Sequence, residues 1–341
     1  MNTERVAFLW DESFLWGLMS YKALTRLELP FDLVSSEDIR SGCLGDYKML
    51  FVPGGWASNK SKALGENGLK AIKDFVANGG NYLGFCGGAG MATEAKNSLG
   101  LLKIKRRPTK ERVPSFSGRI ELNIAPHPIW NSFNCDQSQL TTNEERRTTV
   151  FNAWWPSQFV LEDSNINILA AYGNALSDSF SSDLNVADVE TGGKWEELEK
   201  IYQINLDPKR LLNEPAVIEG SHGKGRVVLS LIHFDTPDDS SGQQVLINLW
   251  DYLAHHRTQS TEHRKQTIDE TAEVRVQDVV DRDNSSDSVW ASHALPIQNM
   301  YAELISLGER NFLWFWRNSM LLQWRRGIRG LEYNTLYIMI K

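Results

Sequence analysis

Cysteine is scarce in this 341-residue chain: only Cys43, Cys86 and Cys135, an odd and scattered set. Such a set excludes both a disulfide framework and a cysteine-based zinc site, and it implies a reducing compartment. No run of 18 apolar residues occurs, so no segment reads as a membrane-spanning helix. The opening MNTERVAFLWDESF lacks the basic start and long apolar core of a secretion signal. Basic excess is missing too. With 36 basic and 43 acidic residues the net charge is −7, which argues against nucleic acid as a partner. What is present, 41% hydrophobic and 23% charged residues, belongs to a globular protein able to bury a sizeable core. A cytoplasmic location, without metal or cofactor, is expected.

Short apolar runs alternate with amphipathic stretches through the first hundred residues. Val6–Trp10, Asp32–Ser35, Tyr47–Val52 and Tyr82–Phe85 read as strands. Leu15–Leu27 and Leu69–Val76 have helical spacing, and Gly79-Gly80 stop the second helix. This rhythm predicts an α/β fold of the flavodoxin-like, doubly wound kind, a mostly parallel sheet with helices on both faces. Further strands are expected at Leu101–Lys105, Gly118–Ile124, Ile166–Ala171, Ala216–Glu219 and Arg226–Ile232. The last two flank a hairpin turn at Ser221–Lys224. Ser177–Trp195, rich in Ser, Asp and Gly, reads as an irregular surface insertion, and Gln243–His256 as a closing helix.

The texture changes near residue 256. Residues 257–298 carry 5 basic and 8 acidic side chains and few large apolar ones, the composition of a polar linker. Residues 299–341 reverse the balance to 6 basic and 3 acidic, with three Trp between Phe312 and Trp324. Leu313, Trp316, Met320 and Trp324 recur at helical spacing, while Arg317, Arg325, Arg326 and Arg329 crowd toward the far end. A partly helical C-terminal segment is expected, docking on the body or pairing with a protein partner or second copy. Contact with an anionic membrane is disfavoured by the acidic remainder.

The sharpest chemical feature is Gly84-Phe85-Cys86-Gly87-Gly88-Ala89-Gly90. A nucleophile on a strand-to-helix turn needs small neighbours because the backbone there is sharply bent. A helix expected over Ala89–Lys96 would favour the thiolate, and the Gly87 N–H could hold an oxyanion. The plainer alternative is a glycine-rich turn around a buried structural cysteine. A thiol also needs a base. His233 is expected to end the strand Arg226–Ile232, and in an extended chain Asp235 would face the same way and orient its ring. The alternative is a strand-end histidine beside a solvated acid. Pro53-Gly54-Gly55 ends the third strand, where glycines let backbone N–H groups approach a substrate. Trp56 and Trp155 could wall a pocket or simply pack the core.

Together these motifs resemble the class I glutamine amidotransferase superfamily. Within it, the likeness is to the domain at the N-terminus of eukaryotic biotin–protein ligases, also found as free-standing bacterial proteins. The likeness is carried by LFVPGGWA, IKDFVANGGNYLGFCGGAG, NAWWPSQF and GSHGKGRVVLSLIHFDTP, and spans roughly residues 4 to 256. It implies Cys86 as nucleophile, His233 as base, Asp235 as orienting acid, and backbone groups at Gly54, Gly55 and Gly87 around the oxyanion. It implies an amide such as glutamine as the small-molecule substrate. Two departures stand out. Asp235 occupies a place usually held by Glu, which suggests a longer hydrogen bond. Gly87 follows the cysteine, where added freedom would loosen the oxyanion donor. The 85 residues beyond His256 are too few for an ammonia-using synthase, and no ligase catalytic motif is present. Three readings follow: a cysteine-dependent hydrolase, a fold-retaining binding or regulatory module without turnover, and an interaction protein acting through its tail.

Overall fold

The computed structural model describes residues 5–133, 147–254, 287–318 and 321–324. Strands β1 (Val6–Leu9), β2 (Asp32–Val34), β3 (Met49–Val52) and β4 (Asn81–Phe85) alternate with helices α1 (Phe14–Arg26), α2 (Ser36–Arg40), α3 (Ala57–Ala77) and α4 (Gly87–Met91). Every residue of β1, β3 and β4 is buried. Unbroken apolar runs such as VAFL and MLFV are what a parallel sheet covered on both faces requires.

Strands β5 (Ile104–Arg106), β6 (Phe116–Ile124), β7 (Arg147–Trp154), β8 (Phe159–Leu161), β9 (Asn167–Ala175), β10 (Phe180–Ser181) and β11 (Leu184–Asn185) follow. Helices α5 (Val186–Gly192) and α6 (Trp195–Tyr202) lead to β12 (Pro215–His222), β13 (Gly225–Ser230) and α7 (Ser240–Leu253). The main sheet runs β11-β10-β6-β9-β12-β13-β4-β3-β1-β2, with β7 paired to β6. Its β13-β4-β3-β1-β2 half is parallel. From β12 outward the pairs are antiparallel, so the sheet is mixed.

Helices cover both faces of the parallel half. On one, Phe51 meets Trp250 of α7, with ring centroids 5.5 Å apart. On the other, Val76 of α3 packs so closely that a Cβ on Gly225 would lie 2.9 Å from it. Helix α3 bends at Gly65 (φ 62°), and the helix expected over Leu69–Val76 is its second half. The expected hairpin closes through Gly223 at φ 59°, with His222 opposite Gly225.

Several local expectations differ from the structure. Ser177–Trp195 is ordered as β10, β11, α5 and the start of α6. Val186, Val189, Trp195 and Leu206 form a small core there, which a reading by polar composition misses. The helix after Cys86 covers Gly87–Met91 only, because the chain turns away before Lys96.

The described residues divide into two compact units, the first holding residues 5–133 and 147–254 with 317–318 and the second residues 287–316 with 321–324. In the second part of the chain, helix α8 (Asp287–Arg310) takes up residues 287–298 of the expected linker. Strands β14 (Trp314–Asn318) and β15 (Leu321–Trp324) then form a two-stranded sheet, where helical spacing had predicted a helix. Trp314 and Trp316 also alternate at strand period, and aromatic residues favour strands. Cys135 and the basic residues Arg325, Arg326 and Arg329 lie outside the described residues. Among the described residues, no helix is long and apolar enough to cross a membrane.

Candidate functional site

Cys86 stands between β4 and α4 with φ 47° and ψ −99°, a backbone conformation that L-residues rarely adopt. Its N–H donates to Ser230 O at 2.8 Å, and its carbonyl accepts from Gly90 at 2.9 Å. The flanking glycines are fixed by close approach. A Cβ on Gly84 would lie 2.8 Å from both the Gly88 backbone and the Tyr82 ring. One on Gly87 would lie 1.9 Å from Gly55 O, and one on Gly88 2.0 Å from Val52 O. The Gly88 N–H donates to Pro53 O at 3.2 Å, and its carbonyl accepts from Tyr82 Oη at 2.7 Å. Backbone therefore packs on backbone between the two glycine turns. Gly87 is required by that contact, which corrects the expectation that it loosens the turn.

Strand β13 stops at Ser230, two residues before the expected end, where Ser230 Oγ bonds the backbone of Ile232. His233 consequently sits in a turn, closed by Thr236 N–H on His233 O at 3.1 Å, rather than on an extended chain. The turn still brings His233 Nδ1 within 3.0 Å of Asp235 Oδ1, with both residues fully buried. The shorter acid thus makes a hydrogen bond of ordinary length. Ser20 on α1 donates to Asp235 Oδ2. The His233 N–H reaches Asn152 O on β7 at 3.1 Å, and Asn152 Nδ2 reaches Asp239 at the start of α7 at 2.8 Å.

The electrostatics couple Cys86 to His233. Burial pushes the thiol up, but hydrogen bonding and charge from His233, then Arg106 and the Gly87 N–H, outweigh it and leave the thiol below its usual 9.0. Burial pulls the imidazole down, but Asp235 and then Cys86 outweigh it and raise His233 well above 6.5. His233 Nε2 is buried without a well-formed hydrogen bond. Cys86 itself remains partly exposed.

Aromatic rings frame this pair. Trp16 lies over the His233 ring with centroids 4.8 Å apart and meets Trp155 edge-on at 5.3 Å. Trp155 has φ 49° and donates its N–H to Phe116 O at 2.8 Å. Trp56 is 51% exposed and packs edge-on against Phe14, so it borders the Pro53–Gly55 turn without being core. Gly54 is confined by Trp16 and His233: a Cβ there would lie 2.7 Å from Trp16 Cβ and 3.1 Å from the imidazole. Gly55, at φ 112°, lies against Glu12 O.

Trp16, Ser20, Lys60 and Arg106 were not singled out from the sequence. Lys60 is fully buried; its Nζ donates to Ser13 Oγ and to Asp11 O, the latter at 3.1 Å. Burial lowers it from 10.5 to about 7, against the opposing pull of Glu12, Asp11 and Cys86. Among the described residues, no cluster of three metal-ligating side chains occurs.

Residues 41–97 match the family model for the N-terminal part of biotin-protein ligase. No curated protein matches the chain. Solved structures of similar shape include PurLQS from Thermotoga maritima, at 15% identity, 73% of this chain and 98% of that one, TM-score 0.46. A glutamine amidotransferase, also from Thermotoga maritima, is 12% identical over 74% of this chain and 84% of its own, TM-score 0.38. A β-galactosidase from Bacillus circulans is 14% identical over 74% of this chain but 31% of its own, TM-score 0.40. The family match takes in the Pro53–Gly55 turn and Cys86 and stops short of His233 and Asp235. Over this stretch the chain is similar to the biotin–protein ligase N-terminal family.

Proposed function

We propose that this chain is a cysteine-dependent, amidotransferase-like hydrolase acting on an amide or related acyl compound. The reading rests on one observation above all. Cys86, on a strained glycine-flanked turn, is electrostatically paired with a buried imidazole whose other nitrogen is fixed by Asp235.

In this reading Cys86, held below its usual value, and His233, held above its own, react as a thiolate–imidazolium pair. The thiolate sulfur attacks the acyl carbon, and the carbonyl oxygen gains negative charge. The Gly87 N–H, which bears on the sulfur, and that of Gly55, which donates to no backbone carbonyl among the described residues, are the oxyanion donors. His233 then gives its proton to the departing nitrogen as the carbon–nitrogen bond breaks, leaving a thioester and free amine or ammonia. Water, deprotonated by His233, attacks the thioester; the thiolate leaves and the acid is released. Asp235, held by Ser20, fixes the imidazole tautomer and favours its charged form. Glutamine is the substrate that the family likeness suggests first.

The deciding experiment is alkylation of the intact protein with iodoacetamide near neutral pH. Cys86 should label at least about tenfold faster than Cys43, whose thiol is pushed up chiefly by burial. Equal, slow labelling of both cysteines would sink the enzyme reading and leave a binding module. An amide-hydrolysis screen with wild type and Cys86→Ala then connects the thiol to turnover.

A further inference from the structure

Lys60 is buried beside the Pro53–Gly55 turn, and the acyl chemistry proposed above gives it no part. It belongs to the first turn of α3, where its backbone N–H donates to Trp56 O at 3.1 Å. Its ammonium bonds one carbonyl, Asp11 O, and one hydroxyl, Ser13 Oγ. The Asp11 carboxylate is turned instead to the Ser36 N–H, at 2.6 Å. An ammonium buried against neutral acceptors is unfavourable in itself, so its place calls for an explanation beyond packing.

The bonds of Lys60 tie separate segments together. Ser13 Oγ, which accepts from Lys60, donates to Leu9 O at the end of β1 at 3.1 Å. Ser13 is flanked by Glu12 at φ 56° and Phe14 at φ 48°. Two left-handed residues so close together persist only where their surroundings over-determine them, and the Lys60 bonds to Asp11 and Ser13 supply that restraint. The strained loop bears on Gly55. A Cβ there would lie 2.5 Å from Glu12 O, 3.3 Å from Ser13 Cα and 3.3 Å from Lys60 Cε. The backbone of the same glycine meets the turn of the nucleophile, since a Cβ on Gly87 would lie 3.1 Å from Gly55 N. Lys60, residues 11–13, Gly55 and Gly87 thus form one line of contact that ends beside Cys86, whose charge is felt at Lys60.

We propose that Lys60 is a positioning residue for the oxyanion: by bridging α3 to the backbone at Asp11 and Ser13, it keeps Glu12 O against Gly55 and so holds the Gly55 N–H toward the oxygen that becomes charged when Cys86 attacks. The inference rests on the acyl chemistry proposed above and can fail separately from it.

The test compares two electrophiles at Cys86 of the intact protein, each rate taken as the part lost in Cys86→Ala. With p-nitrophenyl acetate the sulfur bonds to the carbonyl carbon, whose oxygen carries negative charge until p-nitrophenolate leaves. With iodoacetamide the sulfur bonds to the methylene carbon and iodide leaves, so no oxyanion forms. Both reactions consume the same thiolate, so its ionised fraction cancels in the ratio of acylation to alkylation. In the wild-type protein that ratio should exceed the ratio for free glutathione by at least about tenfold. Lys60→Met should lower it at least about fivefold, and Ser13→Ala, which removes one of the two acceptors, by less. A lysine with a merely structural role would change the melting temperature and leave the ratio alone. A wild-type ratio in folded Lys60→Met overturns the proposal, and so does a wild-type protein whose ratio equals that of glutathione. If Lys60→Met does not fold, Ser13→Ala decides by the same criterion. Slow reaction with both electrophiles but a high, Lys60-dependent ratio would reject thiol activation and keep the role of Lys60; fast reaction with a flat ratio would do the reverse.

Discussion

The carbonyl oxygen of Gly55 occupies the space that a side chain on Gly87 would need, 1.9 Å from the position of its Cβ. Residue 55 follows β3 and residue 87 follows β4, so this one contact locks the two strand ends together. Neither glycine is there for flexibility alone. The contact sets how closely the backbones of the two turns approach, and it does so without any side chain.

Gly87→Ala should therefore act on structure and activity together. The added methyl meets backbone, which cannot rotate away as a flexible side chain can. A stability loss of at least about 2 kcal/mol is expected by thermal or denaturant unfolding. Any folded fraction should alkylate Cys86 more slowly than wild type, since the turn at 53–55 must shift. An alanine variant with unchanged melting temperature and thiol reactivity would mean that the two turns are not in contact.

The second prediction concerns pH. Cys86 is held below 9.0 and His233 is raised to about 10, so the paired ions exist between the lowered thiol value and about pH 10. Alkylation of Cys86 should rise as pH climbs through the lowered thiol value, which lies below 9.0. In His233→Ala the burial that raises the thiol is no longer outweighed, so the midpoint must move upward. Any hydrolytic activity should fall at least about a hundredfold in that variant. An alkylation profile unaltered by His233→Ala would remove the imidazole from the site.

The parallel strands were legible in the sequence because VAFL, MLFV and NYLGF are buried on both faces and so read as unbroken runs. Cys86 was legible because its turn admits only small neighbours. The rest of the site comes from distant parts of the chain. Ser20 reaches Asp235 across 215 residues, and Lys60 reaches Ser13 across 47; no local spacing encodes either contact. His233 and Asp235 were paired by an extended-strand argument, while a tight turn brings them together. Residues 314–324 satisfy helical and strand periods at once, and pairing between β14 and β15 decides which one applies.

Ser20 gives the third prediction. Its hydroxyl occupies the Asp235 oxygen that His233 does not use, inside a fully buried site. Ser20→Ala should cost about 1.5–3 kcal/mol of stability, the usual range for a hydrogen bond to a charged group. Asp235→Asn should lower the His233 value and weaken thiol activation, yet less than His233→Ala, because the imidazole itself remains. Comparing alkylation midpoints for the three variants checks the order. If Ser20→Ala left both stability and the midpoint unchanged, Asp235 would have to be held by something other than that hydroxyl.

Lys60 gives the last prediction, and its sign follows from proton binding. An unfolded chain holds the Lys60 proton up to about pH 10.5, whereas the folded protein releases it near pH 7. Between those values the unfolded state binds more protons, so this group makes stability rise with pH. Below about pH 7 both states are protonated, and the cost of burying the ammonium is felt in full. In Lys60→Met that slope should vanish. The variant should gain most relative to wild type at pH 6 and progressively less toward pH 10, whatever constant loss comes from leaving Ser13 Oγ and Asp11 O without their donor. Melting temperatures of both proteins across that range provide the measurement. Parallel curves for the two would mean that Lys60 is protonated in the folded protein throughout, held by Glu12, Asp11 and the Cys86 thiolate more strongly than burial opposes it.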